Sequence, residues 1–182
     1  MQAIILAAGE SSRFWPLNVR HKSLLKIMGK PLIWYTITGL VKSGVKEVII
    51  IQSSKEEVKE ELKSYSFDCE IKYVVQQEPK GMGDAASSAR KLITGPFFVT
   101  HAHKVNIEGC AKVMIEKFKE TKSEMVFLGT ETDTPWIYGI LDLEGDKVKG
   151  MVEKPEKGKE PSKVKAIGIY LLSPKFFEYY DK

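Results

Sequence analysis

The chain predicts an α/β fold: a three-layer, Rossmann-like, mostly parallel sheet with helices on both faces and an added β-hairpin or β layer in the second half. Three observations carry this reading. Short, apolar, β-branched runs alternate with amphipathic stretches of about a dozen residues, the pattern of strands joined by crossover helices. The first such run, residues 3–8, ends in Gly9 and a polar turn, as a buried strand running into a loop does. After residue 130 the rhythm changes to two strand-like runs with a turn between them. One domain over residues 1–182 accommodates all of this, with a first half (1–130) and a second half (131–182) of different character.

Element by element, residues 3–8 form the first strand. Residues 31–41 carry Leu32, Ile33, Ile37 and Leu40 at helical spacing, and Gly44 closes the segment. Residues 45–52 ("VKEVIIIQ") are a second strand. Residues 54–65 then place Val58 and Leu62 on one face among acids and lysines. The alternation continues with a strand at 71–75, a helix at 82–92, a strand at 97–100, a helix at 107–119 and a strand at 125–129. Right-handed crossovers and a sheet covered on both faces follow. The later part gives strands at 136–143 and 148–153 around the turn "EGDK", a lysine-rich loop at 155–163, a strand at 164–172 and a short helix near Pro174.

Composition narrows the function. Of 182 residues, 43% are apolar and 29% charged, with no apolar run near the roughly 20 residues of a membrane helix. The N-terminus has no basic leader before its apolar run, so it reads as a strand instead of a signal peptide, and the cytoplasm is the expected location. The net charge of +4 comes from many lysines and only Arg13, Arg20 and Arg90, which argues against a nucleic-acid reader. No membrane and no nucleic-acid partner is therefore expected. Cys69 and Cys110 match no metal spacing and read as small core residues.

Several stretches carry chemistry. In "LAAGESSRFWPLN", residues 9–13 offer consecutive backbone N–H groups that can wrap an anion, with Arg13 supplying charge. It is neither a P-loop nor G-x-G-x-x-G, because no G-K-[ST] follows and Ser11 stands where a second glycine would be needed. Lys22, in "HKSLLKIMGKPLI", lies on a loop from the same strand end, the usual ligand edge of a parallel sheet. In "QQEPKGMGDAA", Gln76 ends the third strand, and Gly81 and Gly83 open a helix. A glutamine amide offers a donor and an acceptor, and glycine backbone admits a flat base. Each of these features is ordinary punctuation or a solvated lysine when taken alone.

Together, "LAAGESSRFWPL", the "HK" lysine, "GKPLI", "QQEPKGMGDA", "YGI", "VEKP" and "AIGIYLL" resemble the sugar-phosphate nucleotidyltransferases in order and separation, over essentially the whole chain. The resemblance implies transfer of a nucleoside monophosphate from a nucleoside triphosphate (NTP) to a sugar 1-phosphate, with release of pyrophosphate. It implies that Leu6, Ala8 and Gly9 hold the nucleotide, that Gln76 and Gly81 recognise the base, and that Arg13 binds the triphosphate with Lys22 near the α-phosphate. Gly139 and Glu153 would hold sugar hydroxyls, and Lys154 the sugar phosphate. Residues 1–130 become a nucleotide-binding half and 131–182 a sugar-phosphate-binding half. The partners implied are an NTP and a sugar 1-phosphate, with a homo-oligomer left open, and Mg²⁺ is the family's cofactor.

The pattern breaks at "FFVTHAHKV". The family there resembles F-L-V-x-N-G-D, whose aspartate holds Mg²⁺, so His103 occupies the aspartate position, Ala102 the glycine and His101 the asparagine. Imidazole suits zinc, nickel, copper or manganese better than Mg²⁺, which makes His103 a poor direct replacement. Three readings of the pair follow: a transition-metal site, a contact to phosphate, or positions that have drifted after metal binding was lost. The family's second metal aspartate belongs to a segment beyond "GIYLLSPKFFEYY", so the chain is expected to be shorter than the family or a piece of a longer enzyme. Ala166 stands where hexosamine-using relatives carry asparagine, which argues against an N-acetylated sugar. The rival to an active transferase is a non-catalytic, nucleotide-binding regulatory paralogue.

Overall fold

A computed structural model describes residues 1–9, 16, 20–78 and 81–181. In chain order it contains β1 (Gln2–Ala7), β2 (Lys26–Ile27), β3 (Lys30–Pro31), α1 (Leu32–Lys42), β4 (Glu47–Gln52), α2 (Glu57–Leu62) and β5 (Glu70–Val75). There follow α3 (Met82–Ser88), β6 (Phe97–His101), α4 (Ile107–Thr121), β7 (Met125–Glu131), β8 (Gly139–Glu144), β9 (Lys147–Glu153), β10 (Val164–Leu172) and α5 (Phe176–Tyr180). The strands other than β2 and β3 form one eight-stranded sheet, in the order β5-β4-β1-β6-β10-β8-β9, with β7 on the other edge of β10.

β5, β4, β1 and β6 are mutually parallel. β10 runs antiparallel to β6, and β7 and β8 run antiparallel to β10, so β7 and β8 point the same way as β6. Only β10 and β9 run against the rest. The crossover expected from β6 through α4 to β7 is therefore present, but it skips a place in the sheet, and β10 fills the gap. Hydrophobic periodicity says that 164–172 is a strand and nothing about which strands it separates.

Burial on both faces explains why the strands read as continuous apolar runs instead of alternating ones. On one face Ile5, Val48, Ile50 and Phe98 pack with Ile33, Ile37 and Leu40 of α1 and with Ile107 and Met114 of α4. On the other face Ile4, Ile49, Phe97 and Val99 pack with Ala85 and Ala86 of α3 and with Phe177 of α5. The three layers are thus helix, sheet, helix. α1 and α4 approach closely at Gly39, where a Cβ would come within 2.8 Å of Ile107 Cγ2.

Several boundaries differ from expectation. The helix expected at 54–65 is only α2, because Glu56 takes a left-handed φ of 49° just before it. The helix expected at 82–92 stops at Ser88 and resumes as a 3₁₀ turn over Arg90–Leu92. The expected hairpin is β8–β9, and it is added to the main sheet through β10. Cys69 and Cys110 are free and half-buried, so they sit at the margin of the core and not inside it. Among the described residues, no helix is long and apolar enough to cross a membrane.

A cationic cleft at the fork of the sheet

β10 builds the site by serving two neighbours along one edge. Its residues 169–172 pair with β6, whereas Lys165 pairs with Ile140 of β8, and the register against β7 breaks between Ala166 and Tyr170. Gly168 sits in that break with φ 72°, a conformation that favours glycine. The sheet forks there, and the fork opens a cleft of about 690 Å³.

Lys22, His101, His103, Lys104, Lys165 and Glu153 supply the lysine, imidazole and carboxylate part of its wall. His101 is the last residue of β6, paired with Leu6 of β1, and the next backbone N–H, that of Ala102, donates to the Leu6 carbonyl at 3.2 Å. The chain turns at residues 102–103, and the His101 and His103 rings stack, with centroids 5.5 Å apart and planes inclined by 22°. The expectation that the two histidines share a face is met by this turn, not by continuation of the strand. A Cβ on Gly168 would lie 2.8 Å from Cδ2 and 3.1 Å from Nε2 of His101, so the ring occupies the space the glycine leaves.

The electrostatics are lopsided. Burial, then Lys104 and Lys22, pushes His101 down to about 4. Burial, then Lys22, His101, Lys104 and His21, pushes His103 down to about 4 as well. Lys104 is also lowered, by burial first and then by Lys165 and Lys22. These groups lie close enough to feel one another, and near neutral pH the histidines are uncharged donors or acceptors.

Lys22 begins a 3₁₀ turn over Lys22–Leu24 whose approach is held by α2. The His21 backbone N–H donates to Glu57 Oε2 at 3.2 Å, and Arg20 and Lys26 reach the Glu61 carboxylate at 2.8 and 3.0 Å. Glu61 is kept below the usual carboxylate range by its hydrogen bonds to Arg20 and Lys26. On the hairpin, Gly139 and Glu153 are register partners, and a Cβ on Gly139 would come within 2.9 Å of Glu153 Oε2. The glycine therefore makes room for the carboxylate at the cleft wall.

The remaining expected site residues stand apart from this cleft. Leu6 and Ala8 lie at the C-terminal end of β1, with exposed Gly9 just beyond. Gln76 follows β5 on the same edge and donates from Nε2 to Asp84 Oδ2 at 2.6 Å. Gly81 caps α3 at φ 108°, and its neighbour Met82 reaches the cleft wall, which links the two regions. Lys154 is exposed, has φ 48° and donates its backbone N–H to the Tyr138 carbonyl; it does not line the cleft. Arg13 and Ser11 lie outside the described residues.

Sequence reasoning missed Lys104, Lys165, Tyr138 and Gly168. Two signals were available: a glycine inside a β-branched strand marks a bulge or a close approach, and a lysine inside an apolar strand asks for a polar neighbour. Lys165 Nζ indeed lies 4.1 Å from the centre of the Tyr138 ring.

The donor set suits Mg²⁺ poorly. Magnesium wants oxygen ligands in octahedral array, whereas the end of β6 offers imidazole and the wall holds Glu153 as its carboxylate. Among the described residues no group of three His, Cys, Asp or Glu side chains is placed to hold a metal ion.

A cleft at the carboxyl edge of a three-layer α/β sheet, lined by lysines and one carboxylate, is the architecture of a protein that handles phosphorylated substrates. A family model described as nucleotidyl transferase matches residues 2–182, and the chain belongs to that family. It is 31% identical to UTP–glucose-1-phosphate uridylyltransferase of Bacillus subtilis (strain 168), over all of this chain and 73% of that protein. It is 32% identical to the enzyme of the same name from Staphylococcus epidermidis (strain RP62A), over 99% of this chain and 74% of that one. Among solved structures, UDP-glucose pyrophosphorylase complexed with UDP-glucose superposes with a TM-score of 0.86 and 26% identity, covering all of this chain and 79% of that one.

Proposed function

We propose that the chain is a sugar-1-phosphate nucleotidyltransferase, with UTP and glucose 1-phosphate as the first substrate pair to test. The observation that carries this reading is the cleft itself, where Lys22 and the Gly139–Glu153 pair stand on one wall system, a phosphate contact beside a hydroxyl acceptor. The names of the relatives suggest the base and the sugar. Ala166, in the cleft wall, leaves no amide there for an N-acetyl group, which fits a plain hexose.

The reaction is an in-line attack of the sugar-phosphate oxygen on the α-phosphorus, forming one P–O bond as the bond to pyrophosphate breaks. No protein nucleophile is required, so the residues work by positioning and by neutralising charge. Leu6, Ala8 and Gly9 hold the nucleoside, and Gln76, with its amide already oriented by Asp84, and Gly81 read the base. Arg13 and Lys22 draw the triphosphate in. Glu153 accepts from sugar hydroxyls, and Lys154 swings from its exposed position to the sugar phosphate. The two halves act as one domain, supported by the single sheet they share. A cytoplasmic setting, where both substrates are available, fits this reading.

A pyrophosphate-release assay over a panel of triphosphates and sugar 1-phosphates tests it, with UTP and glucose 1-phosphate expected to give the fastest release. Lys154→Ala is expected to raise KM for the sugar phosphate about tenfold while leaving triphosphate binding unchanged, as loss of one charge-assisted contact does. Triphosphate binding without release from any pair would instead favour a regulatory, non-catalytic role.

A further inference from the structure

The cleft holds three lysines and one carboxylate, and two of those lysines have no place in the reading above. Lys104 follows His103 in the turn after β6, and Lys165 lies in the first half of β10, so two separate elements aim cations into one space. Both are half-buried, and among the described residues neither forms an ion pair. Lys104 and Lys165, partly desolvated like charges facing one space, outnumber the single Glu153 carboxylate there, and a fold keeps such a pair where an anion enters.

The arrangement is built into the backbone. The left-handed Gly168 opens the space that His101 fills, and a Cβ there would also stand 4.0 Å from Lys104 Cε. The same turn that stacks the histidines carries Lys104 to the wall. At the place where the family resemblance leads one to expect a magnesium carboxylate, this chain presents imidazole followed by ammonium.

We propose that Lys104 and Lys165, together with Lys22 and the stacked His101–His103 pair, form a polyphosphate site that neutralises a diphosphate group directly, without a divalent cation. Which diphosphate is bound in catalysis, pyrophosphate or that of a nucleotide sugar, rests on the functional reading above; the site itself does not. Lysine ammonium groups supply the positive charge, and the neutral imidazoles donate N–H bonds to phosphate oxygens.

Calorimetric titration of the intact protein with inorganic pyrophosphate, in EDTA and in Mg²⁺, is the test. Binding in EDTA is expected to be at least as tight as in Mg²⁺, since chelation removes nothing the site uses. Lys104→Gln and Lys165→Gln are each expected to weaken it about tenfold, and Lys104→Arg to restore most of the loss. Circular dichroism of each variant guards against simple unfolding, and for the parent protein log Kd should rise linearly with log salt concentration, as direct ion contacts require. Loss of pyrophosphate binding in EDTA would overturn the proposal, as would unchanged affinity in the folded Lys104→Gln/Lys165→Gln double variant. The two readings separate cleanly. Metal-independent pyrophosphate binding with no turnover of any substrate pair leaves the site standing and removes the transferase. Turnover and binding that both demand Mg²⁺ do the reverse.

Discussion

Gly168 shows how much of the site depends on one missing side chain. Its φ of 72° alone would strain an alanine, and the added methyl would meet His101 within 2.8 Å. Gly168→Ala is expected to destabilise the protein by about 1–3 kcal/mol in denaturant unfolding, combining backbone strain with displacement of a half-buried ring. It should also weaken pyrophosphate binding, because the ring and Lys104 share that space. At this scale the sequence was partly legible. "HAH" stood out as chemistry, and the resemblance assigned Glu153 and Gly139, the second of which the structure explains as room for the Glu153 carboxylate. Lys104 and Lys165 were not legible, because a lysine's significance comes from the other cations it faces, and those arrive from distant elements. Lys154 is exposed and outside the cleft lining.

Among the elements, the turn bearing Lys22 has little apolar anchorage beyond buried Leu24, and two carboxylates of α2 hold it from outside. Glu61 faces both Arg20 and Lys26 with its side chain only 10% exposed. Glu61→Gln is expected to cost about 0.5–1 kcal/mol of stability at pH 7, the usual scale for pairs whose cations stay in water. The sharper effect should be kinetic: a several-fold rise in KM for the triphosphate with little change in KM for the sugar phosphate, as expected of a loosened positioning contact. The elements themselves were readable from apolar spacing, and β10 matched its predicted range, residues 164–172. The end of α3 was not, because Ala89, Arg90 and Leu92 are good helix formers that carry the pattern onward, and only the weaker helix propensity of Ser87 and Ser88 marks the break into a 3₁₀ turn at Ala89. Strand order was beyond reach for the same reason: β10 between β6 and β7 is a long-range choice that local pattern does not encode.

For the molecule as a whole, the layers, the parallel core and the carboxyl-edge site follow from the alternation of strands and helices, and the fork does not. The charge imbalance at the fork sets how the fold responds to acid. His101 and His103 titrate near 4 when folded, against an ordinary value of 6.5, so between those limits the unfolded chain binds more protons than the folded one. Stability is therefore fully present above about pH 6.5 and falls as the pH is lowered toward 4. Thermal unfolding followed across that range should show the decline, and the double variant His101→Gln/His103→Gln should flatten it; an equally steep decline in that variant would contradict the assignment. Excess pyrophosphate should also reduce the decline, since a bound anion favours the protonated rings.

The hairpin formed by β8 and β9 is internally well knit, with residue pairs from Gly139↔Glu153 to Glu144↔Lys147, yet it meets β10 through the single pair Lys165↔Ile140. A hairpin joined to the sheet by so short a ladder is expected to tilt as a unit and to carry Glu153 with it. The backbone N–H groups at the β8–β10 joint should then exchange with deuterium sooner than those of β1 or β4, which have neighbours on both edges. Early exchange there would mark the joint as the place where the wall carrying Glu153 opens, so that the cleft has a hinge as well as a lining.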